Sequence, residues 1–355
     1  MPVDRHTILI TGGCGMIGSA LARRLADDYH IVLFDIKEPS ADAAERADFI
    51  YCDITSDASV HDAVRRLPDS LASVLHLAAY YDFAGEPSPL YDQVTVKGTG
   101  RLLDTLRLEQ KLVDQFIFSS TMLVHKPTRP GQPINEDDPL EGRWDYPKSK
   151  IRTEQLIRRQ RAEIPAVLLR IAGVYTDRCD SIPIAHQIQR IRERRLTAHV
   201  FPGDTSHGQA FVHLDDLVDA FAQAVERRAE LPEEIPILIG EPATYSYQQL
   251  QRAIAKLVHN EDDWLTEQIP KAVARSGAWV QDRIPGVEEP FIKPWMVDVA
   301  DDHYQLDITR ARTRLDWKPR RDLVQQLPVM IDHLEDDPEM WYRRNGLKLH
   351  AEARH

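Results

Sequence analysis

The sequence predicts an α/β fold built on a doubly wound parallel sheet, with a smaller lobe in its C-terminal half. Three observations point there. Short apolar runs alternate with helical periodicity through the first half, a glycine-rich turn joins the first run to the first helix, and no internal repeat or low-complexity linker breaks the alternation. The strand candidates are 6–11, 31–34, 49–52, 73–78, 115–119 and 166–171. Helix-like segments lie around 17–27, 58–66, 89–108 and 146–160. Strands separated by helices form βαβ units, whose right-handed crossovers cover both faces of a parallel sheet.

The turn after the first strand reads Thr11-Gly12-Gly13-Cys14-Gly15-Met16-Ile17-Gly18 and runs into an amphipathic helix marked by Ile17, Leu21 and Leu25. Gly12 permits the tight turn, Gly15 lets backbone approach a phosphate, and Gly18 lets the helix pack closely. The open N–H groups and partial positive charge of that helix start attract an anion, so the turn predicts a dinucleotide pyrophosphate site.

The second strand ends at Asp35, 23 positions after Gly12. An acid near that offset receives the adenosine ribose hydroxyls and repels a 2′-phosphate, which favours NAD over NADP; Lys37 is the one nearby cation. Asp53 and Ile54, after the third strand, are candidates for adenine contact. Beyond the fourth strand, Tyr80-Tyr81-Asp82-Phe83 reads as a loop at a substrate mouth, where an aromatic wall suits an apolar or ring substrate. The fifth strand ends in Phe118-Ser119-Ser120-Thr121, hydroxyls at the carboxyl end of a strand, facing the cleft.

Next comes Tyr146-Pro147-Lys148-Ser149-Lys150. Residues four apart share a helix face, so Tyr146 and Lys150 reach one ligand, and Pro147 fits the first helical turn. An ammonium beside a phenol lowers the phenol pKa from ~10 and makes it a usable general base for a substrate hydroxyl.

After about residue 175 the alternation loosens. A helical stretch near 182–195, strand-like runs at 197–201, 208–217 and 235–239, and a Pro- and Trp-rich stretch from 264 to 320 suggest the substrate side of the cleft. The expected division is a dinucleotide domain at 1–175 with 208–240 returning to it, a lobe at 176–207 and 241–325, and a C-terminal helix and tail at 326–355. Within that tail, 327–342 reads as one amphipathic helix whose Trp341 and Tyr342 pack on the core or a partner.

Bulk properties bound the rest. A net charge of −12, from 44 Lys and Arg against 56 Asp and Glu, argues against nucleic-acid or anionic-membrane surfaces. No apolar run approaches the ~20 residues that span a bilayer. The start leads directly into a strand, so no signal peptide is expected, and three scattered cysteines suit a reducing, cytoplasmic setting. Among fourteen histidines no pair has zinc-site spacing with an acid, and no Gly-x-Ser-x-Gly supports hydrolase chemistry, so no metal is expected.

With these elements in this order, the chain resembles the extended short-chain dehydrogenase/reductase superfamily, specifically the NAD-dependent epimerase/dehydratase family. The matching stretches are 11–18, Asp35, Asp53-Ile54, His76-Leu77-Ala78-Ala79, 116–121, 146–150, 169–175, 211–217, and 306–310 through Trp317-Lys318-Pro319. The resemblance implies a Rossmann-like sheet, NAD as cofactor and a small-molecule substrate. It implies that Tyr146 is the catalytic acid/base, Lys150 its partner and nicotinamide-ribose ligand, and Thr121 the catalytic hydroxyl. It assigns Gly12, Gly15, Met16, Ile17, Asp35, Asp53, Ile54, Leu77, Ala78, Ala79, Ser119, Ile171 and Val174 to cofactor contact. Tyr81, Asp82, His125 and Gln209 are the substrate candidates. Homodimers pairing through the helices at 89–108 and 146–160 are implied too.

The departures bear on substrate. Where family members often carry an Asn, this chain has Val94-Thr95-Val96, and where Val-Tyr-Gly is usual it has Val124-His125-Lys126. Nucleotide-sugar enzymes of the branch commonly place an Arg before a Phe-Ile-His stretch, where it pairs with pyrophosphate. Here the stretch reads His207-Gly208-Gln209-Ala210-Phe211-Val212-His213, and Gln209 cannot supply that charge pair. Met122 and Leu123 after Thr121 argue against dehydration. The expected function is therefore hydride transfer between nicotinamide C4 and a secondary alcohol or ketone carbon, with Tyr146 as acid/base. A nucleotide-sugar epimerase with retained NAD is the alternative, and a non-catalytic NAD-binding module the second.

Overall fold

The computed structural model describes residues 6–82, 87–161, 163–274 and 294–349. Seven parallel strands form one sheet: β1 Thr7–Thr11, β2 His30–Asp35, β3 Asp48–Tyr51, β4 Ser73–His76, β5 Phe116–Thr121, β6 Ala166–Ile171 and β7 Glu234–Ile239. Their spatial order is β7-β6-β5-β4-β1-β2-β3. All six expected strands of the first half are present, and the segment at 235–239 adds the seventh beside β6.

Strand residues point alternately to opposite faces, and here both faces are covered. Ile8, Ile10, Leu33, Leu75 and Ile117 pack on one side with α1 (Met16–Leu25). Leu9, Val32, Phe34, Val74 and Phe118 pack on the other with α2 (Asp57–Arg65), α3 (Gly98–Leu108) and α4 (Asp145–Gln160). Each fully buried Leu or Ile there contributes roughly 1.5–3 kcal/mol.

A third cluster belongs to the C-terminal half. It joins α5 (Ile182–Arg192), α7 (Tyr247–His259) and α8 (Leu323–Asp336) around Ile188, Ile254, Trp264, Leu327 and Met330. Between α5 and α7 in the chain, α6 (Leu214–Glu226) returns to the first face of the sheet through Leu217, Phe221 and Val225. The strand expected at 197–201 is instead a 3₁₀ turn at Leu196–His199 leading to Val200–Pro202, which pairs with Glu267–Ile269.

Two further elements differ from expectation. The segment at 89–108 is a π-helix at Tyr91–Lys97 running into α3. The helix expected at 327–342 is two: α8 ends at Asp336, and α9 (Pro338–Arg344) starts on a proline, whose ring disfavours helical backbone in the preceding residue. Asp337 accordingly sits at φ −146° and ψ 83°. Trp341 and Tyr342 are buried in the third cluster. Among the described residues no helix is long and apolar enough to cross a membrane.

Candidate active site

Strand order reverses between β1 and β4, and ligands of such sheets bind in the crevice beyond the strand ends at that point. The glycine turn sits there. Gly12 has φ +66°, and a Cβ on it would come 2.9 Å from the Ala78 nitrogen, so the turn presses against the residues that follow β4. Gly18 is equally enclosed: a Cβ there would meet the Gly12 carbonyl at 2.6 Å. Gly15 differs. A Cβ there would meet only the Gly12 oxygen, at 3.4 Å, so its hydrogen faces open space above the turn. Gly15 also caps α1 with no side-chain hydrogen bond, which leaves the helix start, with Met16 39% exposed, available to an anion. This cradle fits a pyrophosphate.

Asp35 accepts from the backbone N–H of Cys14 and of Lys37, each at 3.0 Å, and so locks the end of β2 to the glycine turn. Asp53 accepts from the backbone and the hydroxyl of Thr55 at 2.9 and 2.7 Å. Ile54 is buried against Gly98. Leu77, Ala78 and Ala79 are half-buried at the sheet edge, with Leu77 donating to the Thr11 carbonyl at 3.0 Å.

His76, fully buried at the end of β4, organises this edge without having been given a role from sequence. Its Nδ1 lies 2.7 Å from the Thr11 hydroxyl and its Nε2 2.8 Å from the Thr99 hydroxyl. Thr99 spends its proton on the Thr95 carbonyl at 2.6 Å, so Nε2 must donate and Nδ1 must accept from Thr11. Burial, reinforced by the charge of Lys150, pushes the imidazole down to about 3, which keeps it neutral. Thr95 in turn accepts from the Tyr80 N–H at 3.0 Å.

On the next strand Ser119 donates to the His76 carbonyl at 3.1 Å, and its own carbonyl accepts from the Lys150 ammonium at 2.6 Å. Thr121 ends β5 and is hydrogen-bonded to the Tyr146 hydroxyl. The Lys150 nitrogen lies 4.7 Å from the Phe118 ring centre and 5.7 Å from that of Tyr146. Thr121, Tyr146 and Lys150 thus meet at one strand end. Ile171, buried, pairs in register with Thr121, and Val174 follows half-buried.

The expected electrostatics differ. Burial pushes the Tyr146 phenol up to about 12, against the pull of the Thr121 hydrogen bond. Burial also brings the Lys150 ammonium down to about 7, opposed by Glu154. The predicted lowering of the phenol by the ammonium is therefore not what this structure has. Desolvation outweighs the pair, and the ammonium is committed to the Ser119 carbonyl.

Among the substrate candidates, Tyr81 is 52% exposed, and its ring stands edge-on to Tyr146 with centres 4.9 Å apart. Trp144 lies on the same phenol at 5.5 Å. The Asp82 carbonyl accepts from the Tyr91 hydroxyl at 3.2 Å, and Phe83 lies outside the described residues. Gln209 is exposed. His125 is fully buried, with Nε2 3.0 Å from the Arg170 guanidinium.

Arg170 belongs to a network that sequence reading missed. It holds Glu154 bidentately at 3.1 and 2.8 Å, and Ser120 donates to the same carboxylate at 2.6 Å. All three are buried behind the site. The one signal available was spacing, since Glu154 follows Lys150 by one helical turn.

The model of the NAD dependent epimerase/dehydratase family matches residues 8–240. A UDP-glucose 4-epimerase of Mycolicibacterium smegmatis is 26% identical over 339 residues, covering 91% of this chain and 97% of its own length. The decarboxylating sterol-4-alpha-carboxylate 3-dehydrogenase ERG26 of Candida albicans is 22% identical, covering 95% and 100%. Among solved structures, a UDP-glucuronic acid 4-epimerase from Bacillus cereus in complex with UDP-glucuronic acid and NAD superposes with a TM-score of 0.70 at 21% identity, over 93% of this chain and 99% of that one. That likeness is one of fold.

Proposed function

The chain belongs to the NAD-dependent epimerase/dehydratase family, and from that premise we propose that it oxidises a ring-borne secondary alcohol and re-reduces the resulting ketone on the same retained NAD, as an epimerase does. A generic alcohol oxidoreductase was the first expectation from sequence. The near-full-length match to a 4-epimerase supports the retained-cofactor cycle better. The observation that carries the chemistry is the meeting of Thr121, Tyr146 and Lys150 at the end of β5.

In this reading Gly12, Gly15, Met16 and Ile17 hold the pyrophosphate, and Asp35 the adenosine ribose. Asp53 and Ile54 flank the adenine. Leu77, Ala78, Ala79, Ser119, Ile171 and Val174 line the path to the nicotinamide, whose ribose meets Tyr146 and Lys150. NAD, when bound, supplies a hydride acceptor at the nicotinamide C4. Thr121 and Tyr146 orient the carbinol oxygen through their shared hydrogen bond, and Tyr146 takes the hydroxyl proton as the carbon is oxidised, its own phenolic proton having passed to the neutral form of Lys150. It returns that proton on re-reduction. Lys150, titrating near neutrality, is poised to hold charge beside the phenolate. The same reading assigns 1–175 with 208–240 to the cofactor, 176–207 with 241–325 to the substrate lobe and 326–355 to the C-terminal helix and tail, with 1–5, 83–86, 162, 275–293 and 350–355 outside the described residues. A homodimer pairing through the outer faces of α3 and α4 belongs to the same reading.

A net dehydrogenase that releases NADH is the second reading, favoured by Gln209 in place of a cation. Denaturing protein purified without added cofactor separates the two. Stoichiometric NAD surviving dialysis supports the epimerase cycle, while empty protein that binds NADH over NADPH supports the dehydrogenase. Tyr146→Phe tests the shared chemistry: turnover drops at least ~100-fold with the fold intact, and full activity overturns it.

A further inference from the structure

The segment at 301–307 is threaded between two parts of the site. On one side it bonds the chain that follows β5, with Thr128 donating to the His303 carbonyl at 2.9 Å and Ile134 to that of Gln305 at 2.7 Å. On the other it bonds the stretch before α6, with Ala210 donating to the Tyr304 carbonyl at 2.9 Å and Tyr304 to that of Gly208 at 3.0 Å. Gln209 therefore stands beside a strip that carries Asp301 and Asp302.

That strip consumes the positive charge around it. Arg143, three residues before Tyr146, donates to Asp302 at 2.8 Å. Lys271 pairs with Asp301 and donates to the Asp298 carbonyl at 2.8 Å. His207 is bonded through Nδ1 to the Asp301 carbonyl at 2.5 Å, with Asp204 3.7 Å from its Nε2. Each of these three basic side chains is thus already matched by an acid or a carbonyl of the same chain. Among the described residues, a phosphate placed against this strip meets carboxylates, and the one guanidinium on it, that of Arg143, is engaged by Asp302.

What the site presents instead is aromatic. Tyr81 and Trp144 flank the Tyr146 ring at 4.9 and 5.5 Å. The loop bearing Tyr81 is pinned by the Tyr80 N–H on Thr95, by the Tyr91 hydroxyl on the Asp82 carbonyl and by the Tyr80 and Tyr91 rings, 4.9 Å apart. A pinned aromatic wall recognises a ring by its apolar face at little entropic cost.

We propose that the substrate is an uncharged cyclic alcohol lying against Tyr81 and Trp144, recognised without a diphosphate. The proposal rests on the alcohol oxidation argued above and adds the class of molecule oxidised.

The first test is titration calorimetry of the protein saturated with NAD, using UDP and UDP-glucose as probes. No saturable binding below ~1 mM is expected, and micromolar binding of either overturns the proposal. The second adds methyl glucoside, myo-inositol and a hydroxysteroid to the NAD-saturated protein and follows, by absorbance, the transient reduction of enzyme-bound NAD, with the epimeric product read by chromatography. Reduction by one of them with none by UDP-glucose is expected, and reduction by UDP-glucose alone overturns it. The third is the double variant Gln209→Arg, Asp302→Asn, which installs one guanidinium and releases another. UDP affinity at least about tenfold above wild type is expected, and an unchanged affinity in a variant that melts like wild type overturns the charge argument. Binding of UDP to wild type refutes the substrate class and leaves the role of Tyr146 standing. Full activity in Tyr146→Phe refutes that role and leaves the UDP result standing.

Discussion

Lys150 donates to the carbonyl oxygen of Ser119 at 2.6 Å, two residues before Thr121 on the same strand. The helix that carries Tyr146 is thereby tied to the strand that carries its hydroxyl partner.

Lys150→Met trades activity for stability. The buried ammonium has a folded pKa of about 7 against an ordinary 10.5, so the unfolded chain binds more protons between those values. The group's cost is full below pH 7 and is relieved as pH rises toward 10.5. The variant therefore melts higher than wild type at pH 6, and the gap closes by pH 10. Turnover falls at least ~100-fold. Calorimetric melting across pH, with activity beside it, checks both halves.

Two glycine variants separate folding from binding. Gly12→Ala forces a left-handed backbone on alanine and drives its Cβ into the Ala78 backbone, costing roughly 1–3 kcal/mol. Gly15→Ala meets no such obstacle and leaves the melting temperature unchanged, yet fills the space where the phosphate lies. Its NAD affinity falls at least about tenfold, measured by fluorescence titration.

Arg170→Met removes the bidentate partner of the buried Glu154 carboxylate, leaving it Ser120 and the Arg158 guanidinium at 3.5 Å, and costs about 3–5 kcal/mol. Adding Glu154→Met recovers much of that loss, because both charges are then gone. Denaturant unfolding of the two single variants and the double one closes the cycle.

Glu241 accepts from the Tyr175 hydroxyl at 2.7 Å and from the Leu323 N–H at 2.9 Å, at the start of α8. Burial raises it to about 7 from 4.5. The stability this group contributes is present below pH 4.5 and is lost as pH rises through 7, with a slope of up to about 1.4 kcal/mol per pH unit in between. Glu241→Gln removes that slope and melts above wild type at pH 8. Parallel pH dependence in the two proteins refutes it.

Local sequence carried much of this architecture. The strands were readable because runs such as Ile8-Leu9-Ile10 are apolar on both faces, as a covered parallel strand must be. The glycine turn and the four-residue spacing of Tyr146 and Lys150 were readable because backbone geometry alone dictates them. What stayed hidden depends on partners distant in sequence. His76 meets Thr11 across 65 positions, and no local pattern sets its tautomer. Nor does anything near His125 announce its contact with Arg170, 45 positions on. The Tyr146 phenol was misjudged because desolvation is a property of the packed site, not of a pair at helical spacing.

The bond from Arg143 to Asp302 spans 159 positions, and those from Thr128 and Ile134 to the same strip are similarly long. During synthesis the glycine turn, β1 through β6 and the Tyr146 helix all leave the ribosome well before that strip does. The emerging chain thus holds its cofactor cradle early and gains the wall facing substrate late. Contacts this remote close slowly, so in refolding the ability to hold NAD is expected to return before the ability to discriminate among substrates.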